Sequence, residues 1–294
     1  MSTTFFYALL GTITIHKERF LLLVDKTKNI GTVSKDPKSV VYKVDNVWFV
    51  SLKHRTQFDS EVKSLMEGIG SILRQGMYFS YGYDLTSTAK DNLACESKFS
   101  YDSSQVNYMW NYNLCKDFIE AGVSTEWLVP MIQGYIGILK TSLNSKPFQM
   151  ALISRRSSKM AGTRFNSRGI DDEGNAANTV ETEQIVIYEN IMYSFNQLRG
   201  SVPVFWKQKS VLSKIKLTRT PELSFPAFAK HFDQLIKLYK RVIIINLLSD
   251  KKEGEVTLTR AYESSEAEYE KATANIKYCH FDFHSERSLS VILK

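Results

Sequence analysis

Cysteine is scarce in this sequence, and long apolar runs are missing. The 294 residues include three cysteines, Cys95, Cys115 and Cys279. Three scattered cysteines cannot form the disulfide framework of small secreted domains, so we expect a reducing compartment. No stretch approaches the roughly 20 apolar residues that a membrane-spanning helix needs, and no basic leader precedes the first apolar run. These absences predict a soluble, intracellular protein with no transmembrane segment in this chain.

Neither charge nor composition is extreme. Lysine and arginine number 38 against 31 acidic residues, so the formal net charge is 38 − 31 = +7. The hydrophobic share of 43% and the charged share of 23% are typical of globular proteins and exclude collagen, coiled coil and disorder. The length predicts about two domains. The basic excess favours association with an anionic surface, without saying whether that surface is nucleic acid or lipid.

The pattern of apolar residues changes along the chain. β-branched and aromatic runs separated by turn residues predict a small sheet near the N-terminus, and apolar positions at helical spacing predict a helix from about Asp59 to Gln75. The last third alternates helix and strand. We predict a helix near Pro226 to Arg241, an interior strand from Val242 to Leu248 and a polar helix from about Ser265 to Ala274. Such alternation is typical of a partly parallel sheet with crossover helices.

These patterns together predict an α+β fold. The β-rich part spans residues 1–150, and an α/β part with a mixed, partly parallel sheet spans residues 151–294. The final apolar residues begin an amphipathic helix that has room for only about two turns, which favours an α/β part that is incomplete.

Residues that common enzymes need are absent at the required spacing. A cysteine phosphatase uses a thiolate followed six positions later by an arginine that holds the phosphate. The residues six positions after the three cysteines are Tyr101, Ala121 and Ser285. On a strand, His280 and His284 would lie about 13 Å apart, too far to share a zinc ion. We therefore expect no metal, no other cofactor and no catalytic residue in this chain.

Two basic segments stand out in the second half. The first mixes basic residues with serine and glycine, which lets side chains and backbone amides approach an anion. Its candidate anion-binding residues are Arg155, Arg156, Lys159, Arg164 and Arg168. The alternative is an ion-pair network with the acidic stretch that follows, Asp171 to Glu183.

The second basic segment runs from Lys207 to Arg219 and is dominated by lysine. Lysine suits a diffuse negative surface such as a lipid headgroup layer, and a solvated loop is the alternative. Aromatic residues do not alternate with the basic ones in either segment, which argues against nucleic-acid binding.

Several motifs resemble the Sac-domain phosphoinositide phosphatases. The matching stretches read Ile-Ser-Arg-Arg-Ser at 153–157, Ala-Gly-Thr-Arg-Phe-Asn-Ser-Arg-Gly-Ile-Asp-Asp-Glu-Gly-Asn at 161–175, Ala-Asn-Thr-Val-Glu-Thr-Glu-Gln at 177–184, Leu-Arg-Gly-Ser-Val-Pro-Val-Phe-Trp at 198–206 and Phe-Asp-Phe-His at 281–284. Weaker matches lie upstream, among them Met-Ile-Gln-Gly at 131–134. The resemblance covers nearly the whole chain.

The resemblance implies a Sac N-terminal subdomain at 1–150 and the front part of the catalytic subdomain at 151–294. Family members remove phosphate from the inositol ring of membrane phosphoinositides, often phosphatidylinositol 4-phosphate. They use a metal-independent Cys-x5-Arg loop and a cysteinyl-phosphate intermediate. By this resemblance Arg155, Arg156, Arg164 and Arg168 are scaffold or anion-contact residues. Asp282 and His284 are expected near the strand that backs the active site, as support for it.

The same resemblance implies a partner and a location. The expected partner is a phosphoinositide headgroup at an anionic membrane surface, with no nucleic acid. The expected location is cytoplasmic and peripheral to endomembranes, namely the endoplasmic reticulum or the Golgi.

The resemblance stops before the catalytic loop. In the family that loop lies well downstream of the Asp-Phe-His motif, whereas this chain ends ten residues after His284. We therefore expect a truncated phosphatase chain that is inactive alone. The alternative is a non-catalytic module that binds phosphoinositide membranes or a partner protein.

Overall fold

The computed structural model of the chain describes residues 5–53, 57–94, 104–124, 127–163, 166–189, 191–210 and 213–282. Contacts divide the chain into two compact units. Unit 1 comprises Met1–Ser158 and Val180–Leu198, and unit 2 comprises Lys159–Thr179 and Arg199–Lys294. The division of the sequence into domains at residue 150 stays a prediction.

Unit 1 is built on an eight-stranded antiparallel sheet in which the strands follow chain order. The strands are β1 (Ala8–Ile15), β2 (Glu18–Thr32), β3 (Val40–Ser51), β4 (Met77–Ser80), β5 (Ile132–Leu143), β6 (Lys146–Arg156), β7 (Val180–Tyr188) and β8 (Ile191–Arg199). Alternate residues of β2, such as Phe20, Leu22 and Val24, are buried, as expected for strands with one face on the core. The predicted N-terminal sheet is therefore confirmed as part of a larger one.

Helices occupy the long connections of this sheet. They are α1 (Ser60–Arg74), a 3₁₀ turn (Ser104–Tyr108), α2 (Ala89–Ala94) and α3 (Tyr112–Glu120). The predicted helix from about Asp59 to Gln75 is confirmed by α1, which packs Val62 against Phe20 of the sheet. It ends before Gly76, whose φ of 72° suits glycine.

Unit 2 combines two helices with two small sheets in its described part. The antiparallel sheet pairs β9 (Trp206–Lys207) with β10 (Lys216–Leu217), and the parallel sheet pairs β11 (Val242–Asn246) with β12 (Ile276–His280). The helices are α4 (Pro221–Tyr239) and α5 (Glu253–Glu270). Because α5 connects two parallel strands, β11, α5 and β12 form a crossover unit. The α+β fold class with a partly parallel sheet is confirmed.

Two details of the sequence prediction for unit 2 are wrong. The strand β11 is not interior, since Ile243 is 68% exposed and Ile245 is 61% exposed, whereas Ile244 between them is buried. One face of the strand is thus open. The predicted polar helix begins at Glu253, well before Ser265. Its buried face includes serine, threonine and glutamate as well as apolar residues, so the apolar spacing is a weak signal.

Among the described residues, no helix combines the length and the apolar composition that crossing a bilayer requires.

Candidate functional site

Arg155 lies at the centre of a buried ion-pair cluster in unit 1. Its side chain is 0% exposed and contacts Glu181 and Glu183, which are also buried. The β6–β7 register places Glu181 directly opposite Arg155, and the side chain of Glu183 points to the same face two residues later. The Nη2 atom of Arg155 lies 2.8 Å from Oε2 of Glu183.

Backbone groups complete the cluster. Arg155 donates from Nε to the Leu85 carbonyl at 2.8 Å and from Nη2 to the Ser87 carbonyl at 2.9 Å. Glu183 accepts from the Ala89 amide at 2.8 Å and from the Ser194 hydroxyl at 2.6 Å. The cluster thereby joins β6, β7, β8 and the segment that leads into α2.

The charge state of Arg155 follows from this enclosure. Burial by itself lowers the pKa of the guanidinium, but the carboxylates of Glu181 and Glu183 more than offset it, so the net pKa is raised. Arg155 stays charged and its described contacts are internal. The alternative of an ion-pair network therefore explains Arg155. Its acidic partners, Glu181 and Glu183, lie at the end of the acidic stretch from Asp171 to Glu183.

Arg156 points away from this cluster. Successive residues of a strand face opposite sides of the sheet. Its guanidinium carbon lies 5.6 Å from the centre of the Trp110 ring, and Trp110 Nε1 donates to the Arg156 carbonyl at 2.7 Å. Arg155 and Arg156 are adjacent in sequence but do not converge on one ligand.

Lys159 and Arg168 belong to unit 2. Lys159 is exposed, and Arg168 is half-buried with its guanidinium carbon 5.0 Å from the centre of the Trp206 ring. The neighbouring backbone is fixed by hydrogen bonds from the Gly169 amide to Ser201 Oγ and from the Ala177 amide to the Gly169 carbonyl, both 2.8 Å long. Arg164 and His284, two further predicted site residues, lie outside the described residues.

The acidic motif at 170–176 forms a tight loop against α4. Its Asp171 carboxylate accepts from the amides of Glu173 and Asn175 at 3.0 and 2.8 Å. The ring nitrogen Nδ1 of His231 on α4 lies 2.9 Å from the Gly174 carbonyl. Because a carbonyl only accepts, this nitrogen is the donor. The sequence prediction treated these acids as partners of the arginines and missed their role in the loop.

A polar group forms where the parallel strands of unit 2 end. We call it the carboxyl edge; it comprises Asn246, Asp250, His280 and Asp282. Asn246 and His280 are register partners at the last position of β11 and β12. Asp282 accepts from the Asp250 amide at 3.1 Å. In open parallel sheets this edge is where ligands bind.

His280 orients the carboxyl edge. Its Nε2 donates to the Leu248 carbonyl at 3.0 Å, and its Nδ1 lies 3.4 Å from Oδ1 of Asp250. The buried Asn246 donates to the hydroxyls of Thr259 and Tyr278 at 3.0 and 2.9 Å. Sequence reasoning named Asp282 and missed Asp250. The parallel-strand pattern was the available signal, because it places the residues after both strands at one edge.

The sequence of residues 7–288 matches the SacI homology domain. The chain belongs to this family. It is similar to phosphatidylinositol-3-phosphatase SAC1-B of Danio rerio, with 32% identity over 295 residues that cover 95% of this chain and 49% of SAC1-B. It is also 32% identical to synaptojanin-1 of Homo sapiens over 287 residues, covering 95% of this chain and 18% of that protein. The synaptojanin of Caenorhabditis elegans is 33% identical over 293 residues, which cover 97% of this chain and 25% of that protein.

This SacI homology domain thus spans about half the length of SAC1-B and smaller shares of the two synaptojanins. The match reaches from β1 to beyond β12, so it includes the buried cluster of unit 1, the loop on α4 and the carboxyl edge of unit 2.

The cysteines of this SacI homology domain differ in environment. Cys115 on α3 is 0% exposed and its Sγ donates to the Leu10 carbonyl at 3.1 Å. Burial raises the pKa of its thiol to about 12. Cys279 on β12 is exposed, and Cys95 lies outside the described residues. Within the described part of the chain, no group of three His, Cys, Asp or Glu side chains is arranged to hold a metal ion.

Proposed function

We propose that this SacI homology domain is part of a phosphoinositide phosphatase that acts on phosphatidylinositol 4-phosphate at an anionic membrane surface. The observation that carries the proposal is the family match over residues 7–288. The relative SAC1-B is named a phosphatidylinositol-3-phosphatase, which supports a phosphatidylinositol monophosphate as the substrate class. Preference for the 4-phosphate, and action on endoplasmic reticulum or Golgi membranes, are the finer parts of the proposal.

Within unit 2, Lys159 and Arg168 are the proposed headgroup contacts. Both are basic side chains, and guanidinium and ammonium groups are the usual protein donors to phosphate. Arg155 and Arg156 act as scaffold in this proposal, because the first is enclosed by Glu181 and Glu183 and the second lies beside Trp110. The carboxyl edge, with Asp282, orients the strands that support the active site.

The nucleophile of the reaction is not proposed from this chain. Cysteine phosphatases attack with a thiolate, and the buried Cys115 is a neutral thiol at physiological pH because its pKa is raised to about 12. None of the three cysteines is followed by arginine at the sixth position. We therefore propose that the 294-residue chain alone releases no phosphate.

The first experiment measures phosphate release by the purified chain. Short-chain phosphatidylinositol 4-phosphate and 3-phosphate serve as substrates, with a chelator present to remove metal-dependent contaminants. We expect no release above a blank without protein. Turnover above the blank that survives the chelator contradicts the inactive chain and requires another nucleophile.

The second experiment measures headgroup recognition. Vesicles that contain phosphatidylinositol 4-phosphate, 3-phosphate or unphosphorylated phosphatidylinositol are sedimented with the chain. We expect the most protein on the 4-phosphate vesicles. The double variant Lys159→Gln with Arg168→Gln loses this difference, whereas a matched variant, Lys271→Gln with Lys277→Gln on exposed positions of the same unit, keeps it. Equal binding to all three vesicles argues against phosphoinositide recognition.

A non-catalytic membrane or partner-binding module is the second candidate. Cys115 favours it, because this thiol is buried and its raised pKa makes it unsuited to act as a nucleophile. The transcript that encodes the chain separates the two candidates. A Cys-x5-Arg sequence after codon 294 in the same reading frame supports the phosphatase, and a stop codon there supports the module.

A further inference from the structure

One hairpin of unit 2 carries four exposed lysines. In the β9–β10 pair, Trp206 is opposite Leu217 and Lys207 is opposite Lys216. Trp206 and Leu217 pack into an apolar cluster with Leu258 of α5, so the two lysines project to the other side. Lys209 and Lys214, in the connection between the strands, are exposed as well. We call Lys207, Lys209, Lys214 and Lys216 the lysine face.

Hydrogen bonds join the described residues at the two ends of this connection. The Ser210 amide donates to Ser213 Oγ at 2.7 Å, and Ser213 Oγ donates back to the Ser210 carbonyl at 2.9 Å. Gln208 donates from Nε2 to the Ser213 carbonyl at 3.2 Å. Lys209 and Lys214 therefore lie next to a pair of serines that are hydrogen-bonded to each other.

The lysine face is not neutralised by acids of the described chain. None of its four ammonium groups forms an ion pair with a described carboxylate. Like charges directly opposite on paired strands repel and destabilise the pair. By contrast, the nearby Arg219 is neutralised by Asp172 and lies over Phe205, 3.7 Å from the ring centre. Within the described residues, the fold pairs the arginine of this region and leaves the lysines unpaired.

We propose that the lysine face docks on the surface of an anionic lipid bilayer, through its charge and without recognising a particular headgroup. Lysine ammonium groups are compact, hydrated charges that suit a diffuse negative layer, and they lack the planar fork that selects one phosphate. Each lysine near such a surface strengthens binding by about a factor of five. Base stacking is not available, because Trp206 is buried beneath the hairpin and Phe205 is covered by Arg219.

This inference goes beyond the proposed phosphoinositide recognition in naming a second set of basic residues that contacts the membrane. It rests on the proposed function only in taking a membrane as the partner. Vesicles of phosphatidylcholine with phosphatidylserine, which contain no phosphoinositide, test the lysine face independently. A lack of phosphoinositide selectivity would leave the binding to phosphatidylserine vesicles unchanged. A lack of binding to phosphatidylserine vesicles would likewise leave the phosphoinositide selectivity unchanged.

The experiment measures sedimentation of the full chain with these vesicles at low salt and at about 0.15 M salt, where charge attraction is screened. We expect binding at low salt that weakens as salt rises. Replacement of all four lysines of the lysine face by glutamine is expected to weaken binding by about six-hundredfold, a factor of about five for each lysine. The matched variant replaces Lys237, Lys251, Lys271 and Lys277, which are exposed elsewhere in unit 2, and keeps most of the binding.

A charge-reversal variant separates docking from folding. Lys207→Glu converts the repulsive pair with Lys216 into an attractive one, so we expect an unchanged or higher melting temperature together with weaker vesicle binding. Equal loss in the hairpin and matched variants, or no binding of the unaltered chain to phosphatidylserine vesicles, overturns the proposal. Binding to soluble inositol hexakisphosphate or RNA with none to vesicles also overturns it in favour of a free polyanion.

Discussion

Arg155 is stabilised in its buried position by the carboxylates of Glu181 and Glu183 and by two backbone carbonyls. A buried charge carries a desolvation penalty of several kcal/mol, which attraction and hydrogen bonds offset when every partner is present. Removal of one partner leaves the others buried and uncompensated. The residue-scale consequence is that two adjacent arginines, Arg155 and Arg156, have very different importance for stability.

We predict that Arg155→Met lowers the free energy of unfolding by about 3–5 kcal/mol, because Glu181 and Glu183 lose their counter-charge in the interior. Arg156→Met is the matched control on the opposite face of the same strand, and its effect is expected to be much smaller. Urea unfolding of the purified variants measures both. Similar losses of unfolding free energy in the two variants would contradict the scaffold role of Arg155.

Gly174 is the second residue with a sharp prediction. Its φ is 83°, and a Cβ atom there would lie 2.8 Å from the His231 amide nitrogen. We expect Gly174→Ala to cost about 1–3 kcal/mol from the backbone conformation alone, with additional loss because the loop must move away from α4. Gly122, whose φ is 69° with open space around it, provides the control: its alanine variant carries the backbone strain without the clash. If Gly174→Ala is as stable as Gly122→Ala, the close contact between Gly174 and the His231 amide is contradicted.

At the scale of elements, the loop at 170–176 and α4 act as one piece. Lys230 donates from Nζ to the Asp172 carbonyl at 2.9 Å, and Gln234 donates from Nε2 to the Glu173 carbonyl at 3.1 Å. With His231, three side chains of one helix thus hold successive carbonyls of the loop. A one-residue shift of either element would break this set of contacts.

This contact predicts a pH dependence. Burial lowers the pKa of His231 below 6.5, although the Gly174 carbonyl and Asp171 partly counter it. The unfolded chain therefore takes up a proton near pH 6.5 that the folded chain still excludes, so the free energy of unfolding falls as pH drops below that value. His231→Gln keeps a donor for Gly174 and removes the titration. The measurement is urea unfolding at about pH 5.5 and pH 7.5, and an identical pH response in both proteins would refute the assignment.

Several elements could be predicted from the sequence, and the reason differs for each. The helix α1 has apolar residues at helical spacing and a glycine after its end, so local pattern was sufficient. The Arg155 cluster depends on the β6–β7 register, which no local pattern contains. Glu181 and Glu183, two residues apart on a strand, were the available hint that a face of β7 is acidic. The open face of β11 was missed because an apolar run does not reveal which side is covered.

At the scale of the whole molecule, the net charge of +7 is divided by structure into different roles. Arg155 forms an internal ion-pair cluster, and Arg219 is paired with Asp172. The lysine face has no ion pair with a carboxylate among the described residues. The formal charge of the buried cluster is +1 − 2 = −1 and that of the Arg219–Asp172 pair is zero, so the rest of the chain carries 7 + 1 = +8.

The last prediction concerns opening of the fold, with Cys115 as the reporter. Its thiol is enclosed by Met109 and Leu128 and has a pKa raised to about 12, so a thiol reagent must wait for the surrounding core to open. In a variant with Cys95→Ser and Cys279→Ser, we expect Cys115 to react at least about a thousandfold more slowly than in urea, in line with ordinary domain stability. The matched variant with Cys95→Ser and Cys115→Ser leaves the exposed Cys279, which reacts at once. Comparable rates for the two cysteines in the folded protein would mean that Cys115 is accessible, and would reopen it as a candidate nucleophile.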